Sequence, residues 1–375
     1  MSMSIAGMAT ANPDHVLTQD DALELAQQVF AGEDRNRTLR AIYRRSGIKT
    51  RRTLVSTDRV RSWLGLGPAS ADLNANLNDT DLARGGTQTA VGRGATTKQR
   101  MELYRDEAPR LAWQSSQSAL ARAELPAREI THLITVSCSG LMSPGLDVEL
   151  IERLGLSPNV QRTHIGYMAC HGAMNGLRVA RSFTASDLSA RVLLCSVELC
   201  SLHYYSQWDP ARFMANVIFG DGAAALVGRA STDAGEWKHV ASGSCLIPDS
   251  KDILQHNVCD HGFEVVLSAR LPDLIQQHLR PWLEQWLRDH DLSLDRIGCW
   301  AIHPGGPRVL SAVQESLGLP AEATAVSRDV LNEFGNMSSA TVLFILDRLR
   351  RADAPLPCVA LAFGPGLTAE VAIFA

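Results

Sequence analysis

Three residues of this chain have the types and the order that covalent catalysis by a thiolate needs: Cys170, His303 and Asn336. Cys170 lies in THIGYMACHGAMNGLRVA, residues 163–180. QRTHIGY before it reads as a strand, and HGAMNGLRVARSF after it sets Met174, Leu177, Val179 and Ala180 on a helical period. The cysteine therefore falls near a helix N-terminus, where unpaired N–H groups and the helix dipole favour a thiolate, so its pKa is predicted to fall. Gly172 and Gly176 would each cost about 1 kcal/mol against Ala in an ordinary helix. They suit a backbone packed closely beneath a nucleophile. The position also suits an inert buried thiol, and the local residues leave both readings open.

A thiolate nucleophile needs partners. Of the eleven histidines, His15, His256, His261, His278 and His290 lie in polar or helical contexts and read as surface groups. His303 differs: it follows the apolar run GCWAI and precedes PGGP, which puts it at a strand end facing a tight turn. Asn336, in EFGNMSSATVLF, stands beside a glycine at the start of an apolar helix. It can serve as an N-cap or aim its amide at a developing oxyanion; both roles remain open.

The elements that must position these residues alternate in type. Strand-like runs cover 131–137, 191–196, 223–228, 298–302, 357–363 and 369–374, with helical stretches at DDALELAQQVF after Thr18, at 108–124 and at 338–352. Alternation of this kind predicts α/β architecture. Residues 66–99, rich in Gly, Ala, Thr, Asn and Asp, read as a long surface loop. A composition shift falls near STDAGEWK (231–238). The run before it closes in GDGAAALVG and the chain closes in GPGLTAEVAIF, so two halves ending alike hint at an internal duplication.

With 375 residues, 45% hydrophobic, the chain can bury a substantial core. A net charge of −4 gives no reason to expect nucleic acid as a partner. The first residues lack the basic and apolar regions of a secretory signal, and no run is long and apolar enough for a membrane span. The eight cysteines form no CxxC pair and several sit inside apolar runs. Reduced thiols in a cytoplasmic protein are expected, with neither a disulfide framework nor a metal site.

Taken together, Cys170, then His303 in WAIHPGGP, then Asn336 in GNMSSA, then the C-terminal FGPGLTAE resemble the type III polyketide synthases, the chalcone synthase-like family of the thiolase superfamily. IHPGGPRVL, VLNEFGNMSSATVLFILD and IFGDGAAALVG extend the resemblance over nearly the whole chain. Initiating ketoacyl synthases share the Cys–His–Asn set but not the pairing of GNMSSA with GPGLT. The resemblance implies a five-layered αβαβα fold of two duplicated halves, 1–231 carrying the cysteine and 232–375 carrying the histidine and asparagine, normally as a homodimer. It implies that Cys170 takes the acyl group of an acyl-CoA starter. His303 and Asn336 would donate to the thioester carbonyl of malonyl-CoA as CO2 leaves, and His303 would also pair with the thiolate. Each such donor is worth up to roughly 3–4 kcal/mol where charge develops on an oxygen. No metal or redox cofactor is implied.

The resemblance also assigns surrounding residues. Arg45, in TLRAIYRRSGIKTRR, matches one of the family's basic contacts to CoA, while Thr38 and Ala41 replace two others; Arg37, Arg40 or Arg44 would substitute for them. Gly305 and Arg308 lie where the HPGGP turn meets CoA. Phe219 matches a gatekeeping phenylalanine, and Val265 stands where plant members have a second. Cys138, Ser139, His203, Ser338 and Pro365 fall on cavity positions, and Ser143 replaces a methionine that reaches across the dimer interface. Val265 and Ser143 both remove bulk, and the ELCS stretch resembles members that make alkylpyrones and alkylresorcinols. A medium or long fatty acyl starter is therefore expected, with an aromatic or malonyl starter as the alternative.

Overall fold

The structure, a computed structural model, describes residues 2–66, 94–230 and 237–375. Most of the loop expected over 66–99 and the half boundary expected at 231/232 lie outside the described residues. The first elements are β1 (Met3–Ala11), β2 (Val16–Thr18), α1 (Gln19–Val29), α2 (Glu33–Arg44), β3 (Thr50–Arg52), α3 (Thr57–Trp63) and α4 (Thr97–Arg122). There follow β4 (His132–Ser137), α5 (Leu146–Leu154), β5 (Gln161–Gly166), α6 (Gly172–Ser186), β6 (Arg191–Leu199), α7 (Pro210–Ile218) and β7 (Asp221–Ala230). The remainder comprises β8 (Lys238–Leu246), β9 (Leu254–Cys259), β10 (Gly262–Leu267), α8 (Leu271–Arg288), β11 (Cys299–Ile302), α9 (Pro307–Leu317), α10 (Ala325–Phe334), α11 (Ala340–Arg351), β12 (Cys358–Gly364) and β13 (Thr368–Phe374).

Each expected strand is present within a few residues. The helix expected at 108–124 begins earlier, at Thr97, because Thr96 and Gln99 form a reciprocal capping box. Pro109, which reads as a helix start in sequence, sits inside the helix.

Nine strands form a sheet in the order β11-β12-β13-β8-β1-β7-β6-β4-β5. The run β4-β6-β7-β1 is one parallel pairing followed by two antiparallel ones, and β11-β12-β13-β8 repeats that pattern. The runs join through the short contact of Met3 and Ser4 with His239 and Lys238. Alternation of side chains along the strands sorts the core into layers. Leu193, Cys195 and Val197 of β6 face α4 and α5. Val192 and Leu194 of the same strand face α6 and α11, which Ala360 and Ala362 of β12 meet from the other side. Val359 and Leu361 then face α8 and α9. The result is helices, half-sheet, central helices, half-sheet, helices: the five-layered αβαβα arrangement.

The central helices reveal why their sequences look as they do. Residues 340–346 of α11 are all buried, which requires a helix apolar on every side. On α6, a Cβ at Gly176 would come within 2.7 Å of Leu194 Cδ1, so glycine there lets the helix seat directly on β6. No described helix is long and apolar enough to cross a membrane.

Gly335, before α11, adopts φ +70° and ψ −163°. A Cβ there would lie 2.7 Å from the Ile218 carbonyl oxygen and 2.8 Å from Arg51 Cγ. Gly335→Ala is therefore expected to destabilise the protein by about 2 kcal/mol or more, read as a lower urea midpoint at constant m-value. An unchanged midpoint would show that 334–336 relaxes without loss.

Candidate active site

The N-termini of α6 and α11 converge on one cavity of about 620 Å3, bordered by Cys170, His303 and Asn336 together. Cys170 sits in a 3-10 turn, Ala169–His171, that leads directly into α6. Asn336 reaches it from α11's approach: its Nδ2 donates towards Cys170 Sγ at 3.9 Å. Two backbone bonds fix that approach, Asn336 N–H to the Ile218 carbonyl at 2.8 Å and Gly220 N–H to the Asn336 carbonyl at 2.9 Å. Asn336 Oδ1 accepts from Ser338 N–H at 2.8 Å, which leaves the amide nitrogen as the group presented to the cavity. Asn336 does not cap α11; Ser339 occupies the cap position.

His303 follows β11 and is fully buried, with its backbone N–H bonded to the Leu361 carbonyl at 2.8 Å. Neither ring nitrogen has a hydrogen-bond partner among the described residues, so the pairing with the thiolate expected from sequence is not formed. Burial, with a smaller contribution from the nearby His171, pushes its pKa down to about 3. The predicted fall in the Cys170 pKa is also overturned. Burial pushes the thiol up to about 11, outweighing the lowering by Ser338 and Asn336.

Cys138, Ser139, His203, Phe219, Val265 and Ser338 border the same cavity, as do Arg45, Gly305 and Arg308. Arg45 and Arg308 are exposed and stand at its mouth, whereas Arg37, Arg40 and Arg44 do not border it. Two further expectations need correction. Pro365, in the turn between β12 and β13, is not among the residues that border the cavity, and Ser143 is exposed on the loop before α5 and does not border this chain's own cavity, which agrees with a position expected to reach across a dimer interface. His256, expected at the surface, borders the cavity, and burial lowers its pKa to about 4.

His203 has a fixed tautomer. Its Nδ1 accepts from Phe263 N–H at 2.9 Å, so Nε2 carries the proton and donates to the Ser139 carbonyl at 2.7 Å. It positions the β9–β10 hairpin against the loop after β4. Sequence reasoning missed Glu198, which is fully buried beneath the site. It accepts from Ser139 Oγ at 2.7 Å, from the Cys138 and Ser139 N–H groups at 3.1 Å, and from Ser339 Oγ. Burial raises its pKa despite these bonds. The signal was a lone carboxylate inside the apolar run RVLLCSVEL. Among the described residues no group of three or more His, Cys, Asp or Glu is gathered to hold a metal ion.

Two family models match the chain: the N-terminal domain of chalcone and stilbene synthases over residues 86–231 and the C-terminal domain over 239–375. The chain belongs to the chalcone and stilbene synthase family. It is thus a type III polyketide synthase, an acyl-transferring enzyme that catalyses decarboxylative condensation, and its family uses acyl-CoA and malonyl-CoA. Similar proteins include the alpha-pyrone synthesis polyketide synthase-like Pks18 of Mycobacterium tuberculosis, 32% identical over 99% of this chain and 90% of that protein. The 1,3,6,8-tetrahydroxynaphthalene synthase of Streptomyces peucetius is 33% identical over 98% and 91%. The crystal structure of PKS-I from the brown alga Ectocarpus siliculosus superposes with a TM-score of 0.88 at 30% identity, covering 100% of this chain and 98% of that one.

Burial favours the neutral forms of Cys170 and His303, the two groups that border the same cavity. Because the thiolate is the reactive form, alkylation of Cys170 by iodoacetamide is expected to keep accelerating from pH 7 to pH 9. A plateau already reached below pH 7 would show a thiolate–imidazolium pair instead.

Proposed function

We propose that Cys170 is the nucleophile that carries the acyl starter, and that His303 and Asn336 stabilise the enolate formed from malonyl-CoA. The observation that carries this reading is the meeting of three groups at one cavity: a thiol, an amide held as a donor, and an imidazole with both nitrogens unpaired. Starter loading transfers the thiol proton to His303 as Sγ attacks the thioester carbonyl and CoA leaves. In the extension half-reaction the C–CO2 bond of malonyl-CoA breaks and charge moves onto its thioester oxygen. Fixed donors in a dry site lower the energy of that oxygen most. The enolate carbon then attacks the Cys170-bound acyl carbonyl, the bond to Sγ breaks with Cys170 leaving as the thiolate, and the chain, now on CoA, is longer by one malonyl-derived unit. Arg45 and Arg308 at the mouth meet the CoA phosphates.

The starter is a medium or long fatty acyl group, extended a few times and cyclised to an alkylpyrone or alkylresorcinol-type product. Support comes from the apolar lining to which Val265 contributes and from the likeness to an alpha-pyrone synthesis protein. The likeness to a tetrahydroxynaphthalene synthase favours a second reading, a malonyl-primed aromatic product. The working unit is a homodimer: β5 is an unpaired sheet edge, and Leu141, Tyr167 and Met168 are exposed beside it. Eight free cysteines fit a reducing compartment, the cytoplasm.

Mass spectrometry of products from malonyl-CoA with starters from acetyl- to stearoyl-CoA, plus benzoyl- and coumaroyl-CoA, tests the substrate. Long-chain triketides and tetraketides are expected; product from malonyl-CoA alone would select the second reading. Cys170→Ala is expected to abolish condensation at unchanged thermal midpoint. Asn336→Ala should slow malonyl-CoA decarboxylation by about 100-fold or more and starter loading far less. Equal losses in both half-reactions would remove Asn336 from the enolate step.

A further inference from the structure

The cavity extends well beyond the reaction centre, and one extension enters the core. Ala22 and Leu25 of α1, Val60 of α3 and Ile218 of α7 are at most 4% exposed, yet all four border it. Helices that pack only against one another close such a space, because protein interiors leave few voids larger than a water molecule. Here Ala22, Leu25, Val60 and Ile218 belong to one core layer and still border the cavity, which makes an internal lobe between the three helices with Tyr43 of α2 on its wall. An unfilled apolar space of this kind lowers stability, whereas in a binding protein it matches the apolar part of a ligand.

A polar neck joins the lobe to the reaction centre. Ser201 Oγ, just past β6, accepts from Val55 N–H at 3.2 Å and so links the site to the segment entering α3. Arg51, 2% exposed, stands on the neck's wall. Its Nη1 donates to the carbonyls of Asn216 at 2.7 Å and Phe219 at 2.9 Å, while its Nε and Nη2 have no partner among the described residues. The Tyr204 hydroxyl on the same wall is also unpaired. Asp221 lies close enough to offset the guanidinium charge, so the neck does not call for a carboxylate. Unpaired donors beside an offset charge suit neutral acceptor oxygens, such as those of β-keto groups near the thioester. The other extension, along the β9–β10 hairpin, sets Gln255 and His256 among Leu254, Phe263, Val265 and Leu267.

We propose that the lobe between α1, α3 and α7 seats the alkyl tail of the starter, with keto oxygens of the growing chain at the neck, and that Ala22 limits how long the tail can be. This rests on the fatty acyl reading of the site. A dodecanoyl-CoA carrying a diazirine at its ω end, loaded on the full-length enzyme and irradiated, is expected to label peptides from 19–29 or 210–218. Labelling confined to 254–267 would overturn the assignment while leaving the fatty acyl reading intact. In Ala22→Phe the ratio of kcat/KM for dodecanoyl-CoA to that for butyryl-CoA should fall about tenfold, equivalent to ~1.4 kcal/mol. Ala22→Leu, with its thermal midpoint checked, should give a smaller fall in the same direction. An unchanged ratio in both folded variants would also overturn the lobe. Failure of the native enzyme to accept dodecanoyl-CoA at all would overturn the fatty acyl reading, and the lobe with it.

Discussion

Two backbone hydrogen bonds between 218–220 and Asn336 are the constraint on which the site depends. They tie the end of α7 and Phe219 to the approach of α11, which otherwise share no sequence proximity. Arg51 reinforces the junction by holding the carbonyls of Asn216 and Phe219, and Gly335 permits it by taking a conformation and a closeness that a side chain would prevent. Because these are main-chain bonds between buried segments, they set the Asn336 amide relative to Cys170 without relying on a flexible side chain. A buried backbone pair of this kind is costly to break, since both partners would lose water as well as each other.

Around that junction the site's electrostatics are set by dehydration. Burial raises the Cys170 thiol, lowers the imidazoles of His303, His203 and His256, and raises the Glu198 carboxyl. Every shift moves towards the uncharged form, the behaviour of groups denied water without a close opposite charge. Glu198 nevertheless gathers the loop after β4 and Ser339 at the start of α11 around a single side chain. Among the groups left unpaired, those on His303, Arg51 and Tyr204 border the cavity.

Much of this was legible in the chain, because strong periodicity and turn chemistry are local properties. The strands around 131–137, 191–196 and 357–363, and a helix beginning just after Cys170, follow from them. The start of α4 was hidden because Pro109 imitates a helix start and the capping box lies in a polar stretch. The Cys170 pKa was misjudged because a helix terminus is visible in sequence and the depth of burial is not. Pro365 matches a cavity position by alignment, but it does not border the cavity of this chain. The lobe beside Ala22 could not be read at all, since its walls come from residues 22, 25, 60 and 218, each of which looks like ordinary core.

The neutral state of Cys170 has one more consequence. Oxidation to sulfenic acid and reaction with adventitious electrophiles both proceed through the thiolate. A nucleophile that stays protonated until substrate and a base are both engaged is shielded from such damage while idle. Cys138, whose sulfur sits 3.1 Å from the Glu198 carboxylate and whose pKa burial raises well above the usual thiol value, is disfavoured as a thiolate in the same way. The dehydration that holds the sulfur as a thiol thus also disfavours the form that oxidants attack.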